Sequence, residues 1–400
     1  MKKGWENKQL IQLCHEITDG THSSPKSSPR YNYPYITVKD IKEDIIDFDN
    51  CKFISADDFF RLKKNGCMPN NGDVLFSKDG TVGKVSIVDY DKEFIVLSSL
   101  AIIRPNRNLI NPYYLKYVFK SPLFLKNAVD KKTGVAIKRI ILKNLKQIDV
   151  QYPISIPEQK RIVTKLDKCF EAIDKARANV ERNLQNAKDL FQSQLNQIFS
   201  QKDEGWVEKK LKEIGDTQTG STPSTKNKDN YGNHIPFVKP AHFNENGSIN
   251  AGNSMLSEKG LKSARFFEKY STLMVCIGAT IGKTGFTEIP VTSNQQINAL
   301  TPKGIYEPKY FYYALLTESF FSKVIHASSQ LTLPIINKSK WENLTVPIPS
   351  NKHDQTSIVT QLDQLKAQTQ SLQSNYQQEL DALDELKKSI LEKAFNGELS

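Results

Sequence analysis

One segment of this 400-residue chain has the residue types of a phosphate-cradling loop: Gly278-Ala279-Thr280-Ile281-Gly282-Lys283-Thr284. Such a loop needs four residues between its glycines before its backbone N–H groups can wrap a phosphate, and here there are three. A turn between two strands is the better reading. The six histidines (His15, His22, His234, His242, His326 and His353) show no metal-ligand spacing. The five cysteines (Cys14, Cys51, Cys67, Cys169 and Cys276) form no CxxC pair, so neither a zinc finger nor a disulfide framework is supported. No catalytic residue, metal site or cofactor is expected.

Chemistry of recognition remains. Loops 22–30 and 221–228 mix hydroxyls with cations: His22, Ser23, Lys26 and Arg30 in the first, Thr222, Ser224, Lys226 and Lys228 in the second. Hydroxyls for base edges beside cations for phosphates is the division of labour in DNA contact. Segments 293–296 and 328–332 add Gln295, Gln296, Gln330 and Thr332, whose amides and hydroxyl suit base edges, Gln pairing best with adenine. The densest basic cluster is Lys126, Lys131, Lys132, Lys138, Arg139, Lys143 and Lys146. Within it, Lys138 and Arg139 sit between Ile137 and Ile140, as on a strand or loop edge facing DNA. Lys78, Lys84 and Lys283 complete the DNA-binding candidates. Each of these positions also fits an ordinary solvated surface. Tyr31, Tyr33 and Tyr231 read as core or rim aromatics, not stacking platforms.

Charge supports an anionic partner. Lys and Arg number 55 against 44 Asp and Glu, a net +11, with a pI near 9.1. Residues 1–204 carry 34 basic against 25 acidic side chains (+9), and the remainder 21 against 19 (+2). The first half should therefore supply more of any salt-dependent affinity. An apolar share of 38% argues against global disorder. The opening residues lack an apolar signal core, and the apolar run near 95–103 is broken by Ser98 and Ser99. A soluble, cytoplasmic protein with no membrane partner is expected.

The elements that would position these residues occur twice. Gly4-Trp5 recurs as Gly205-Trp206, and Pro34-Tyr35-Ile36 as Pro236-Phe237-Val238. Val74-Leu75-Phe76-Ser77 through Gly80-Thr81-Val82-Gly83-Lys84 matches Leu273-Met274-Val275-Cys276 through Ala279-Thr280-Ile281-Gly282-Lys283. Gln159, Ile162 and Leu166-Asp167 match Gln355, Ile358 and Leu362-Asp363. A period near 200 residues means a duplicated domain, not a solenoid. Residues 73–88 read as a hairpin. Asn111-Pro112 and Ser121-Pro122 read as helix caps followed by proline.

Each copy ends in a long segment without Pro or Gly, 158–199 and 354–395. Apolar residues recur at helical spacing: Ile162, Leu166, Phe170, Ile173, Val180, Leu184, Ala187, Phe191 and Ile198, then Ile358, Leu362, Leu365, Leu372, Tyr376, Leu380, Leu383, Leu386 and Ile390. Gly397 is a plausible stop for the second helix. A helix of this length is about 60 Å long and wants a partner along its apolar seam. The few residues between helix one and the second copy cannot bring the chain back along it. The two helices should therefore pair antiparallel, with a globular domain at each end. Four regions are expected: globular domains at 1–157 and 205–350, and long helices at 158–200 and 351–400.

This duplicated arrangement, with a helix opening at Pro157-Glu158-Gln159-Lys160-Arg161-Ile162 and again at Asp354-Gln355-Thr356-Ser357-Ile358, resembles the specificity subunits of type I restriction-modification systems. The Gly72-Asp73-Val74-Leu75-Phe76-Ser77 segment, the helix end Ala394-Phe395-Asn396-Gly397-Glu398-Leu399 and the opening Gly220-Ser221-Thr222-Pro223-Ser224 are similar too. The second copy departs from the pattern with Asp354 where Glu is usual. The resemblance implies an α+β fold: two similar mixed α/β target recognition domains separated by two long antiparallel helices in a coiled coil with pseudo-two-fold symmetry. It implies a non-catalytic reader of double-stranded DNA, each domain reading one half of a bipartite, asymmetric target. The helices would space the halves and dock two methyltransferase subunits, with restriction subunits joining the full complex. Two alternatives fit less well. Asn111-Pro112-Tyr113-Tyr114 is close to the N-P-P-Y tetrad of adenine-specific DNA methyltransferases, but its third residue is wrong and no glycine-rich cofactor loop precedes it. A helical scaffold without base-specific binding fits poorly with two diverged copies and a basic first domain.

Overall fold

The computed structural model describes residues 2–130, 140–201, 205–244, 247–329 and 333–399. The chain divides into two compact units, one of residues 1–181 with 378–400, the other of residues 182–377.

Unit 1 opens with β1 (Trp5–Gln9), β2 (Cys14–Asp19) and β3 (Tyr33–Ile36), then a small hairpin of β4 (Ile41–Lys42) and β5 (Ile45–Ile46). There follow β6 (Lys52–Ile54), α1 (Ala56–Lys64), β7 (Val74–Ser77), β8 (Val85–Ile87), β9 (Ile95–Val96) and β10 (Leu100–Pro105). Helices α2 (Pro112–Lys120), α3 (Pro122–Asp130) and α4 (Leu142–Lys146) precede β11 (Asp149–Pro153). Helix α5 (Ile156–Ser200) then begins in unit 1 and ends in unit 2.

Unit 2 repeats the plan. It holds β12 (Trp206–Lys210), α6 (Leu211–Ile214), β13 (Gly215–Thr219), β14 (Tyr231–Val238), β15 (Met255–Leu256), α7 (Glu258–Leu261) and β16 (Phe266–Phe267). Then come β17 (Ser271–Val275), β18 (Thr284–Thr287), β19 (Val291–Ser293), β20 (Ile297–Pro302), α8 (Pro308–Leu315), α9 (Glu318–Ala327), α10 (Lys338–Trp341) and β21 (Thr345–Pro349). Helix α11 (Lys352–Phe395) starts in unit 2 and ends in unit 1.

The same sheet stands at the centre of each unit, ordered β2-β10-β7-β8 in unit 1 and β13-β20-β17-β18 in unit 2. Its inner strands β7 and β17 are buried along their length because both faces are covered. Alternation sends Val74, Phe76, Ala101 and Ile103 into a core shared with α2 and the long helices. Leu75, Leu100 and Ile102 face a second core with Ile36 and Val96. In unit 2, Met274 and Leu300 face the helical side, while Leu273, Val275, Ile297 and Ala299 face the other. The second sheet of each unit, β6-β3-β9 and β15-β14-β19-β16, covers that outer side.

The 73–88 hairpin is present as β7–β8, and its bonds correct the expected register of the repeat. Ser77 N–H donates to Lys84 O at 2.9 Å, as Val275 N–H donates to Lys283 O at 2.9 Å. Ser77 therefore corresponds to Val275 and Lys78 to Cys276, one residue away from the sequence match. The cause is the turn: six residues, 78–83, in the first copy and seven, 276–282, in the second. The insertion could not be located by sequence because both turns carry Gly and Thr.

In unit 1 the first half of α5 and the last half of α11 run antiparallel. Lys165 Nζ donates to Leu399 O at 2.9 Å, Lys387 pairs with Asp174 and Arg177 with Asp384. In unit 2, Leu195 and Phe199 of α5 share a core with Val359 and Leu362 of α11. Two expected seam residues turn outward instead: Leu372 is 39% exposed and Leu386 46%. Thr369 is buried in place of an apolar residue. Its hydroxyl is satisfied by Leu365 O at 3.0 Å and Lys366 O at 3.1 Å on its own helix, which makes that burial tolerable. At the end of α11, Gly397 adopts φ +81°, the left-handed stop expected of it. Lys2 Nζ donates to Gly397 O at 2.7 Å, so residues near the two chain ends meet within unit 1.

Candidate nucleic-acid interface

Buried amides tie each long helix to its globular lobe. Gln159 accepts from Asn111 N–H at 2.7 Å and donates to Leu109 O at 2.9 Å and Pro153 O at 2.7 Å. Gln355 does the same in unit 2, accepting from Glu307 N–H at 3.0 Å and donating to Pro349 O at 3.1 Å. Tyr117 donates to Asp167 at 2.5 Å, as Tyr313 does to Asp363. Burial against these carboxylates pushes both phenols well above the ordinary tyrosine range. Asn111 caps α2 by accepting from Tyr113 and Tyr114 N–H at 2.9 and 3.2 Å. The Asn-Pro-Tyr-Tyr segment is thus a helix start.

The opening loops lie on the outer side of the central sheets. In unit 1, Thr21 N–H donates to Val96 O at 2.9 Å and Ser98 N–H to Thr21 O at 2.9 Å. Ser23 hydrogen-bonds Thr21 at 3.0 Å. His22 Nε2 lies 3.4 Å from Asp19, and Lys26 and Arg30 are exposed. In unit 2, Thr222 Oγ1 donates to Gln295 Oε1 at 2.7 Å, so the two candidate loops meet there. Gln296 Oε1 accepts from Asn294 at 2.8 Å. Ser224 O accepts from Asn230 at 3.0 Å, while Lys226 and Lys228 are exposed. Arg265, absent from the expected set, stands beside this pair. Its backbone N–H donates to Ser221 Oγ at 3.0 Å and its guanidinium to Thr219 O at 2.6 Å. Nothing in its sequence neighbourhood marks it.

The hairpin lysines do not share one environment. Lys78 is buried, 3.2 Å from Asp19 and 3.6 Å from Asp79. Lys84 Nζ donates to Ile41 O at 2.7 Å and Val38 O at 3.1 Å. Both ammonium groups serve internal acceptors. Lys283 is only half-buried and, among the described residues, its ammonium has no ion-pair or hydrogen-bond partner. Lys132, Lys138, Arg139, Gln330 and Thr332 lie outside the described residues.

Unit 1 also has a cleft of about 700 Å³ lined by Lys39, Lys42, Lys52, Asp79 and Ser99. Lys42 and Asn50 hold the Asp47 carboxyl down at about 2. Among the described residues no group of three or more His, Cys, Asp or Glu converges as a metal cage. His234 lies 3.9 Å from Glu258, whereas His242 accepts from Lys239 N–H at 3.1 Å. Segment 278–284 is the connection between β17 and β18, with Gly278 and Gly282 at positive φ. No described helix is long and apolar enough to cross a membrane.

A family model described as the type I restriction modification DNA specificity domain matches residues 2–182 and again 203–382. Among curated relatives, the type I restriction enzyme MjaIX specificity subunit of Methanocaldococcus jannaschii is 32% identical over 167 residues, 40% of this chain and 38% of the relative. The EcoBI specificity subunit of Escherichia coli is 28% identical over 187 residues, 47% of this chain and 38% of the relative. The match thus spans less than two fifths of the length of either relative. The HsdS subunit from Thermoanaerobacter tengcongensis, a solved structure 21% identical, aligns over 99% of this chain and 97% of its own with a TM-score of 0.60, which shows a shared fold. With the model matched twice over most of its length, this chain belongs to the type I restriction modification DNA specificity domain family.

Proposed function

We propose that the chain is the non-catalytic specificity subunit of a type I restriction-modification complex, acting in the cytoplasm. Each unit reads one half of a bipartite, asymmetric sequence in double-stranded DNA. The long helices set the spacing between half-sites and dock two methyltransferase subunits, and restriction subunits complete the assembly. Catalysis belongs to the partner chains. The four regions 1–157, 158–200, 205–350 and 351–400 divide this work between reading and spacing.

One observation carries the reading. The two copies keep the same latches on their helical side, Gln159 and Gln355, Tyr117 and Tyr313. On the outer side they present unlike loops. A repeated mount with differing loops suits two readers of different sequences. Base readout belongs to the loops around Ser23 and Lys26 in unit 1 and Thr222 and Gln295 in unit 2, and phosphate contact to exposed cations such as Arg30, Lys226 and Lys228.

The test is selection of a random duplex library by the full chain with its methyltransferase partner. Two short unlike motifs separated by a constant gap are expected. Inserting one base pair into that gap should cost far more affinity than changing the bases within it. Recovery of one continuous motif, or of no motif, contradicts the proposal.

A further inference from the structure

Three lysines of unit 2 converge on one cleft of about 650 Å³. Lys188 comes from α5, Lys366 from α11 and Lys283 from the β17–β18 connection. Glu318 is the one carboxylate among the described residues of its lining. The ammonium groups of Lys188 and Lys283 have no hydrogen-bond or ion-pair partner among the described residues. Lys366 is held in place: its ammonium donates to the buried Tyr312 hydroxyl at 3.0 Å and lies 5.0 Å from that ring's centroid. Among the described residues no carboxylate stands within ion-pair distance of Lys366. Asp363, its nearest charged neighbour of opposite sign, is already held by Lys309 at 2.9 Å. Burial, with Lys309 close by, pushes the Lys366 ammonium below the usual lysine range. A half-buried cation without a counter-charge is costly unless an anion completes it.

Among its described residues the first unit has no such group. There Lys84 occupies the place of Lys283 with its ammonium bonded inward, and Phe170 takes the place of Lys366. Among the described residues the convergence is therefore particular to unit 2. It is not a by-product of the shared fold.

We infer that this cleft takes a backbone phosphate of the bound DNA, with Lys188, Lys283 and Lys366 as its cations and Gln370 as a neutral donor. The inference rests on the DNA reading proposed above and extends it, since it brings residues of the long helices into DNA contact. Phosphate is favoured because three separate elements each contribute one cation to an open cleft, as a polyanion running past it requires.

The experiment is equilibrium binding of the full chain to labelled duplexes, one with its selected motif and one scrambled, across a salt series. Lys188→Gln and Lys283→Gln should each flatten the dependence of log affinity on log salt by roughly 0.9, equally on both duplexes. The double variant should lose roughly twice that. Lys366→Gln should behave as the single variants do, while Lys366→Arg, which keeps the charge, should restore the slope. Lys262→Gln, exposed and outside the cleft, is the control. Unchanged slopes in a chain that still prefers its motif would overturn the cleft and leave the DNA reading standing. A wild-type chain without DNA affinity would overturn both. Variants that keep the DNA slope but bind the methyltransferase partner less tightly would assign the cleft to an acidic protein surface and refute the phosphate.

Discussion

The two units repeat one fold, and they keep some of its contacts while changing others. On the helical side the agreement is close to atomic. Tyr114 donates to Gln151 O and Tyr310 to Pro347 O. Phe395 packs against Tyr114 as Phe199 packs against Tyr310. Other corresponding positions differ in charge. Lys78 and Asp19 form a buried pair in unit 1, where unit 2 has Cys276 and Thr219. The helical side is not wholly alike either, for a cation and an aromatic trade places there: Lys116 on α2 and Phe170 on α5 in unit 1, Tyr312 on α8 and Lys366 on α11 in unit 2. Packing constraints keep the buried tyrosines and the amide latches of the helical side alike in both copies. The outer side has been free to diverge, as two readers of unlike sequences must.

The comparison is sharpest at the helix latch. Gln159→Leu leaves three buried backbone groups without partners and should cost roughly 3 to 5 kcal/mol. Gln355→Leu leaves two and should cost less, roughly 2 to 3 kcal/mol. Denaturant midpoints at constant m-value measure both. Equal losses would mean that the latches are not graded by their bonds. Next in size is the buried pair. Lys78→Cys copies unit 2 but strands the Asp19 carboxylate, and should destabilise by about 3 kcal/mol. Adding Asp19→Thr should recover most of that, because the paired desolvation cost disappears with the pair. A double variant as unstable as the single one would break the equivalence drawn between the units.

A smaller effect is expected at the turn glycines. Gly83 has φ +102°, and an added Cβ would lie 2.7 Å from Leu125 Cδ2. Gly282 has φ +85°, with Phe321 Cδ2 at 2.5 Å. Alanine at either should cost about 1 to 2 kcal/mol, read as a lowered Tm. The smallest contrast lies at the phenol–carboxylate bonds. Tyr117→Phe should cost about 1 kcal/mol. Tyr313→Phe should cost less, since Lys309 still holds Asp363 at 2.9 Å. The reverse order would show that the lysine contributes nothing there.

The duplication, the hairpins, the caps at Asn111 and Ser121 and the Gly397 stop were legible in sequence because each depends on local residue types. The long helices were legible too, although α5 starts at Ile156, ahead of the expected position. Pro157 fits there because the first turn of a helix needs no N–H from it. The hairpin offset was not legible, because a one-residue insertion between similar turns leaves the composition unchanged. Nor was the direction of Leu372 and Leu386, since helical spacing marks a stripe without saying which side a neighbour covers. The site was harder to read than the fold. Lys78, Lys84 and Lys283 look alike in sequence, yet only their three-dimensional acceptors separate buried braces from a free cation. Lys188 and Lys366 sit on helices whose polar positions read as solvated, and only folding gathers them.

The central claim is that each unit reads its own half-site, and exchanging one globular lobe tests it most directly. Residues 205–350 would be replaced by the matching segment of a relative of different specificity, and methylation would be mapped in cells carrying the hybrid and its partner. One half of the methylated motif should change, with the other half and the gap retained. A motif altered in both halves, or in neither, would contradict it.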